Sequence, residues 1–284
     1  MFRTRLISGV LLLVIAICVI ILGGPVLDIA LWFVSSVGYL ELVRAFGLNK
    51  KTPEHRSLVA IGYTAIFFLY ISIWCCRTWQ LEQFAITLII ILLVFFACMF
   101  LYVFSYPKLH AEEITETVFS FLYAPLMLSY IDLTRNMEMG EYIVWLILIS
   151  SWGCDTCAYC VGKLIGKHKM SPILSPKKSI EGAIGGVAGS AIIGAVFAAV
   201  LFSRKYPDIS LVLGCALICG LGALISMVGD LAASAIKRDK NLKDYGNLIP
   251  GHGGIMDRFD SVIFTAPATY FLAVVIFEAS RIMR

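Results

Sequence analysis

A chain of 284 residues that is 60% hydrophobic and only 15% charged cannot bury its apolar surface in a water-soluble core. Such a composition belongs to a polytopic membrane protein and excludes a soluble domain or a small disulfide scaffold. The net charge of +4 is small, and the basic residues cluster in particular loops, so it speaks for membrane orientation and anionic ligands rather than nucleic-acid binding.

Apolar runs of about 17 to 25 residues read as spanning helices. Nine are predicted, with limits near 6–22, 26–45, 57–76, 84–104, 114–132, 142–162, 182–202, 210–236 and 261–280. Gly23-Gly24-Pro25, the segment 49–56, Pro107, the segment 135–141 and Pro207 punctuate them. Arg3 and Arg5 before the first run superficially fit a signal peptide, but the run is long and a second follows almost at once, so an uncleaved first span is expected. The expected fold is an all-α polytopic membrane protein of about nine transmembrane helices, with N-terminal spans over 1–135, a catalytic membrane region over 136–284 and cytoplasmic catalytic loops.

A cytoplasmic N-terminus places 17 of the 23 Lys and Arg inside, leaving Arg77, Arg135, Arg204, Lys205, Arg281 and Arg284 on the opposite side with the C-terminus. Nine cysteines lie in or at the ends of apolar runs, where they read as small packing residues. Cys154, Cys157 and Cys160 have no second Cys or His pair at zinc-binding distance.

The first spans carry little chemistry. Glu112, Glu113 and Glu116 read as the solvated acidic start of a helix. Asp155 differs, because it lies inside an apolar span with Tyr159 four residues on and Gly162 seven on, and an ionisable group there marks a functional candidate. It is eight residues, about 12 Å, back from Lys163, and Asp230 is seven residues, about 10 Å, back from Lys237, so the two acids share a depth and are expected to line one polar cavity. Between them runs Ser175-Pro-Lys-Lys-Ser-Ile-Glu-Gly182, followed by a glycine face that permits tight helix packing.

The longest polar run, from Ser234 to Asp260, sets Lys237, Arg238, Lys240, Lys243 and Arg258 beside Asp239, Asp244, Asp257 and Asp260, with His252 in a Pro-Gly-His-Gly-Gly turn. Cations hold phosphate oxygens, carboxylates hold Mg²⁺ that bridges them, and glycines let backbone N–H groups approach. Asp257 and Asp260, three apart, fall on one face of a helix starting near Met256.

This run resembles the signature of the phosphatidate cytidylyltransferases (CDP-diacylglycerol synthases) at Ser234, Lys237, Arg238, Lys243, Asp244, Gly246, Ile249, Pro250, His252, Gly253, Gly254, Ile255, Asp257, Arg258 and Asp260, without a departure. The Ser-Pro-Lys-Lys segment resembles the same family, and together with Asp155, Ala158, Tyr159 and Gly162 the likeness extends over roughly 145–265. It implies a reaction of CTP with phosphatidic acid to give CDP-diacylglycerol and pyrophosphate. Catalytic roles are expected for Asp230, Lys237, Arg238, Asp257, Arg258 and Asp260. Substrate contacts are expected at Asp155, Tyr159, Lys177, Lys178, Ser234, Lys243, His252, Gly253 and Gly254. Mg²⁺, as one ion or two, is expected on Asp230, Asp257 and Asp260, and the resemblance also suggests a homodimer. Two other readings stay open: a CTP-dependent lipid kinase, which would release CDP, and a transporter built on the intramembrane aspartates.

Overall fold

The computed structural model describes residues 2–202, 209–251 and 253–278, with the side chains of residues 2–7, 202 and 278 aside. Among them the chain forms nine helices: α1 Phe2–Leu22, α2 Gly24–Ala45, α3 Pro53–Trp79, α4 Gln83–Ser105, α5 Ala111–Arg135, α6 Gly140–Ile165, α7 Ile180–Leu201, α8 Ile209–Asp239 and α9 Met256–Phe277. Eight are long and apolar enough to cross a membrane, and in α1 the stretch Ser8–Leu22 is a shorter apolar helix. The protein is a multi-pass integral membrane protein, as the run lengths require. Between the spans expected at 142–162 and 182–202, in a fold expected to be all-α, residues 169–179 pair as an antiparallel hairpin of β1 Lys169–Ser171 and β2 Ser175–Ser179.

Local chemistry sets the helix ends. Thr52 accepts the His55 N–H at 3.4 Å and Pro53 follows at the first helical position, so α3 starts there. Ser179 caps α7 by accepting the Gly182 N–H at 3.1 Å. A π-turn over Leu122–Leu126 accommodates Pro125, which has no N–H to continue the α pattern.

By internal contacts the chain groups into two compact units, residues 1–132 with 240–258, and residues 133–239 with 259–284. In the first, Leu27, Leu42, Leu58, Ile66, Leu69 and Phe121 are buried. Arg77 forms an ion pair with Asp28 and reaches the fully buried Asp132 at 3.5 Å, joining α2, α3 and α5 by charges that an apolar span tolerates only in partnership. Glu113 departs from the expected solvated helix start: it is buried and binds Lys50 and His55, each at 2.8 Å. The lysine and the imidazole satisfy an acid that water would otherwise have to solvate.

The second unit is built on small residues. A Cβ at Gly186 would lie 2.9 Å from the Cys154 sulfur, and one at Gly189 would lie 2.7 Å from the Cys157 Cβ, so α6 and α7 meet almost backbone to backbone. Cys154, Cys215 and Cys219 are fully buried and all nine cysteines are free, in keeping with a packing role.

Candidate active site

In the second unit, Asp155, Tyr159 and Gly162 follow one another on a single face of α6 at spacings of four and three. A Cβ at Gly182 would lie 2.8 Å from the Ala158 carbonyl oxygen and 3.2 Å from the Gly162 Cα, so these glycines hold α6 and α7 together at the base of a cavity. The hairpin between the two helices brings Lys177 and Lys178 over it. Glu181, in the first turn of α7, fixes the hairpin by accepting the backbone N–H groups of Lys167 at 3.1 Å and His168 at 3.2 Å and by pairing with His168 Nδ1 at 2.5 Å.

The cavity has a volume of about 390 Å³ and is lined by Asp155, Tyr159, Met170, Lys177, Lys178 and Met227, among others. The Lys178 ammonium forms an ion pair with Asp230 of α8. Asp155 lies within electrostatic range of Lys178 and Asp230, and Asp260 within range of Asp230, Lys237 and Asp155. Asp155 is on the cavity wall, whereas Asp230, expected to line the same cavity, is not among its lining residues and connects to it through Lys178.

Three carboxylates, with Lys178 paired to Asp230 and Lys237 in electrostatic range of Asp260, make a site with affinity for both signs of charge. Among the described residues no three of His, Cys, Asp and Glu converge as a closed metal cage. Mg²⁺ needs none, because it takes hard oxygen ligands, retains several waters and is usually held by one or two carboxylates plus substrate phosphates. Asp230 already engages a cation in the Lys178 ammonium, and the donor set suits such an ion.

The polar segment 240–258 belongs to the first unit, where it is folded by two acids. Asp257 is buried, and its Oδ2 accepts the N–H groups of Tyr245 at 2.8 Å and Gly254 at 3.0 Å. Glu41 of α2, also buried, accepts those of Ile255 at 3.0 Å and Met256 at 2.8 Å. It therefore supplies negative charge at the N-terminus of α9, where amides lack intrahelical partners. A side chain at Gly246 or Gly254 would collide with the Glu41 carboxylate. Gly253, at φ 82°, takes a left-handed conformation that closes the turn onto Ile249, whose N–H donates to the Gly253 carbonyl at 2.9 Å. Lys240 binds Glu116 at 2.9 Å, so Glu116 too is more than a solvated acid.

The remaining expected residues fall on these two frames. Ser234 and Lys237 are half-buried near the end of α8 and Arg238 is exposed there. Lys243, Asp244 and Arg258 are exposed in the first unit, with the Arg258 N–H donating to the Ile255 carbonyl at 3.0 Å. His252 lies outside the described residues. Sequence reasoning missed Glu41, although an acid inside an apolar helix is itself a signal.

A multi-pass membrane fold carrying lysines and carboxylates on a cavity of this kind belongs to a defined class: the chain is a member of the cytidylyltransferase family, whose model matches residues 3–276. Among relatives, the phosphatidate cytidylyltransferase of Bacillus subtilis is 30% identical over 272 residues, covering 95% of this chain and 97% of its own. The phosphatidate cytidylyltransferase of Synechocystis is 42% identical over 142 residues, covering 50% of this chain and 46% of its own. That of Staphylococcus aureus is 43% identical over 141 residues, covering 50% and 52%.

Proposed function

We propose that this chain transfers the cytidylyl group of CTP to phosphatidate, forming CDP-diacylglycerol and releasing pyrophosphate. The observation that carries this reading is the Lys177, Lys178, Asp155 and Asp230 arrangement at the cavity, in a chain similar along 95% of its length to a phosphatidate cytidylyltransferase. A phosphatidate oxygen attacks the α-phosphorus of CTP. The new P–O bond forms as the bond from the α-phosphorus to the β-bridging oxygen breaks, and pyrophosphate leaves with that electron pair. The attacking phosphate is ionised at neutral pH, so no protein base or nucleophile is required.

The work left to the protein is positioning and charge neutralisation. Lys177 and Lys178 bind phosphate oxygens from the hairpin, and Lys237 and Arg238 from the end of α8. Asp230 and Asp260 would hold Mg²⁺, and Asp155 and Tyr159 face the substrate in the cavity. Mg²⁺, when bound, screens the triphosphate and stabilises the charge that builds on the leaving pyrophosphate. Asp257, expected from sequence as a further metal ligand, is assigned here first to folding the segment 240–258, on its two backbone hydrogen bonds. The N-terminus and basic loops are placed on the cytoplasmic side, where CTP is, on the strength of the 17 of 23 basic residues that this arrangement puts inside.

Product analysis with CTP labelled at the α- or the γ-phosphate tests the reading. Cytidylyl transfer puts the α-label in the lipid and the γ-label in pyrophosphate. A γ-label in the lipid with release of CDP would identify a lipid kinase, and label in neither would leave transport.

A further inference from the structure

The turn between β1 and β2 is Pro172-Ile173-Leu174, and it carries Ile173 at 88% exposure, the most exposed large hydrophobic side chain among the described residues. Leu164 at 82% and Ile165 at 60%, the last residues of α6, are exposed just before the hairpin, and Ile180 and Ile184 of α7 just after it. The hairpin joins two helices that are each long and apolar enough to span a bilayer, so it lies at a bilayer surface whichever way the chain is threaded. Exposed Lys163, Lys167 and Lys169 stand in the same connection. An apolar tip beside a set of lysines is the pattern of a segment seated at the interface, with the apolar part among the upper acyl chains and the cations among anionic headgroups. The prolines at 172 and 176 restrict the backbone on both sides of Ile173, which reduces the entropy lost when the tip is held in place.

From this we infer that the β1–β2 hairpin is a membrane-interface anchor: Ile173 dips into the leaflet bearing anionic phospholipid and keeps the adjoining cavity at headgroup depth. The hairpin's base is fixed to α7 through Glu181, and its second strand carries Lys177 and Lys178. Immersion of the tip therefore sets the height of the two cavity lysines relative to a lipid phosphate. The anchoring itself does not depend on the proposed reaction. Its kinetic consequence rests on that reading.

The full chain with Cys18, Cys75, Cys157 and Cys160 replaced by alanine and Ile173→Cys added, labelled with an environment-sensitive fluorophore in phosphatidylcholine/phosphatidylglycerol vesicles, tests the anchor. The five remaining cysteines are buried, and the same chain without Ile173→Cys gives the background. The expected emission is blue-shifted, quenched by phospholipid carrying a nitroxide high on its acyl chain, and insensitive to aqueous iodide. Water-like emission quenched by iodide would overturn the anchor, as would a blue shift that neither quencher affects, which would place the tip against protein. In a parallel assay Ile173→Asp is expected to raise the KM for vesicle-borne phosphatidate roughly tenfold, as loss of one buried aliphatic side chain implies, with kcat and the KM for CTP unchanged. An unchanged KM beside an immersed wild-type tip would overturn the link to substrate depth. The fluorescence result stands even if cytidylyl transfer is not the reaction.

Discussion

The carboxylate of Glu41 accepts the Met256 N–H at 2.8 Å, so an acid in α2 caps the first turn of α9, the last of the described helices. The same carboxylate takes the Ile255 N–H, and glycines at 246 and 254 leave room for it. Removing it strands two buried amides, at about 1–3 kcal/mol each. Glu41→Ala is expected to lower the unfolding temperature in detergent and to reduce kcat. Glu41→Gln, which keeps one acceptor oxygen, should fall between it and the wild type. A Glu41→Ala protein with wild-type Tm and rate would show that the cap does not hold the segment.

Lys178 binds Asp230, whereas Lys177 lines the same cavity from the preceding, more exposed position. Lys178→Ala removes a phosphate contact and also leaves Asp230 without this partner. A lost charged hydrogen bond is worth about 1.5–3 kcal/mol, which corresponds to roughly tenfold or more in kcat/KM for CTP. Lys177→Ala is expected to act in the same direction but more weakly. Steady-state kinetics at saturating phosphatidate and Mg²⁺ measure both, and unchanged constants in both variants would return these lysines to ordinary positive-inside charges.

Asp257 and Asp260 are only three residues apart, yet their bonding differs. Asp257 Oδ2 accepts two amides of the segment 240–258, whereas Asp260 Oδ1 accepts the N–H of its neighbour Ser261 at 2.8 Å and lies in range of Asp230. Asp260→Asn should therefore abolish turnover at limiting Mg²⁺ and shift the Mg²⁺ dependence to higher concentration. Asp257→Asn should lower kcat and thermal stability while leaving the Mg²⁺ midpoint in place. A Mg²⁺ titration of both variants decides the assignment: equal shifts would make Asp257 a ligand as well, and no shift for Asp260→Asn would remove it from the metal site.

What was legible in the sequence follows from the range of each signal. Span positions came through because a bilayer imposes a length on apolar runs, and helices such as Gln83–Ser105 end within a residue or two of their expected limits. The Lys-Lys and Asp-bearing segments could be recognised because their residues are close together in the chain. Glu41 could not be placed this way, since its partners Ile255 and Met256 are more than 210 residues away and bond through backbone amides that leave no side-chain pattern. Glu113 was misread for a related reason: an acid at a helix start fits the helix dipole, and only the fold brings His55 against it. The hairpin at 169–179 escaped because its strands are three and five residues long and contain lysine, serine and proline rather than the β-branched residues that announce a strand.

The central claim is that the cavity holding Lys178 receives CTP from the cytoplasm. In proteoliposomes of known orientation, Asp155→Cys and Met170→Cys, each in a chain with Cys18, Cys75, Cys157 and Cys160 replaced, place a single thiol on the wall of that cavity. Both should react with a membrane-impermeant thiol reagent from the cytoplasmic side, and CTP with Mg²⁺ should slow both reactions. Labelling only from the opposite side, or cytoplasmic labelling at a rate that CTP and Mg²⁺ leave unchanged, would contradict it.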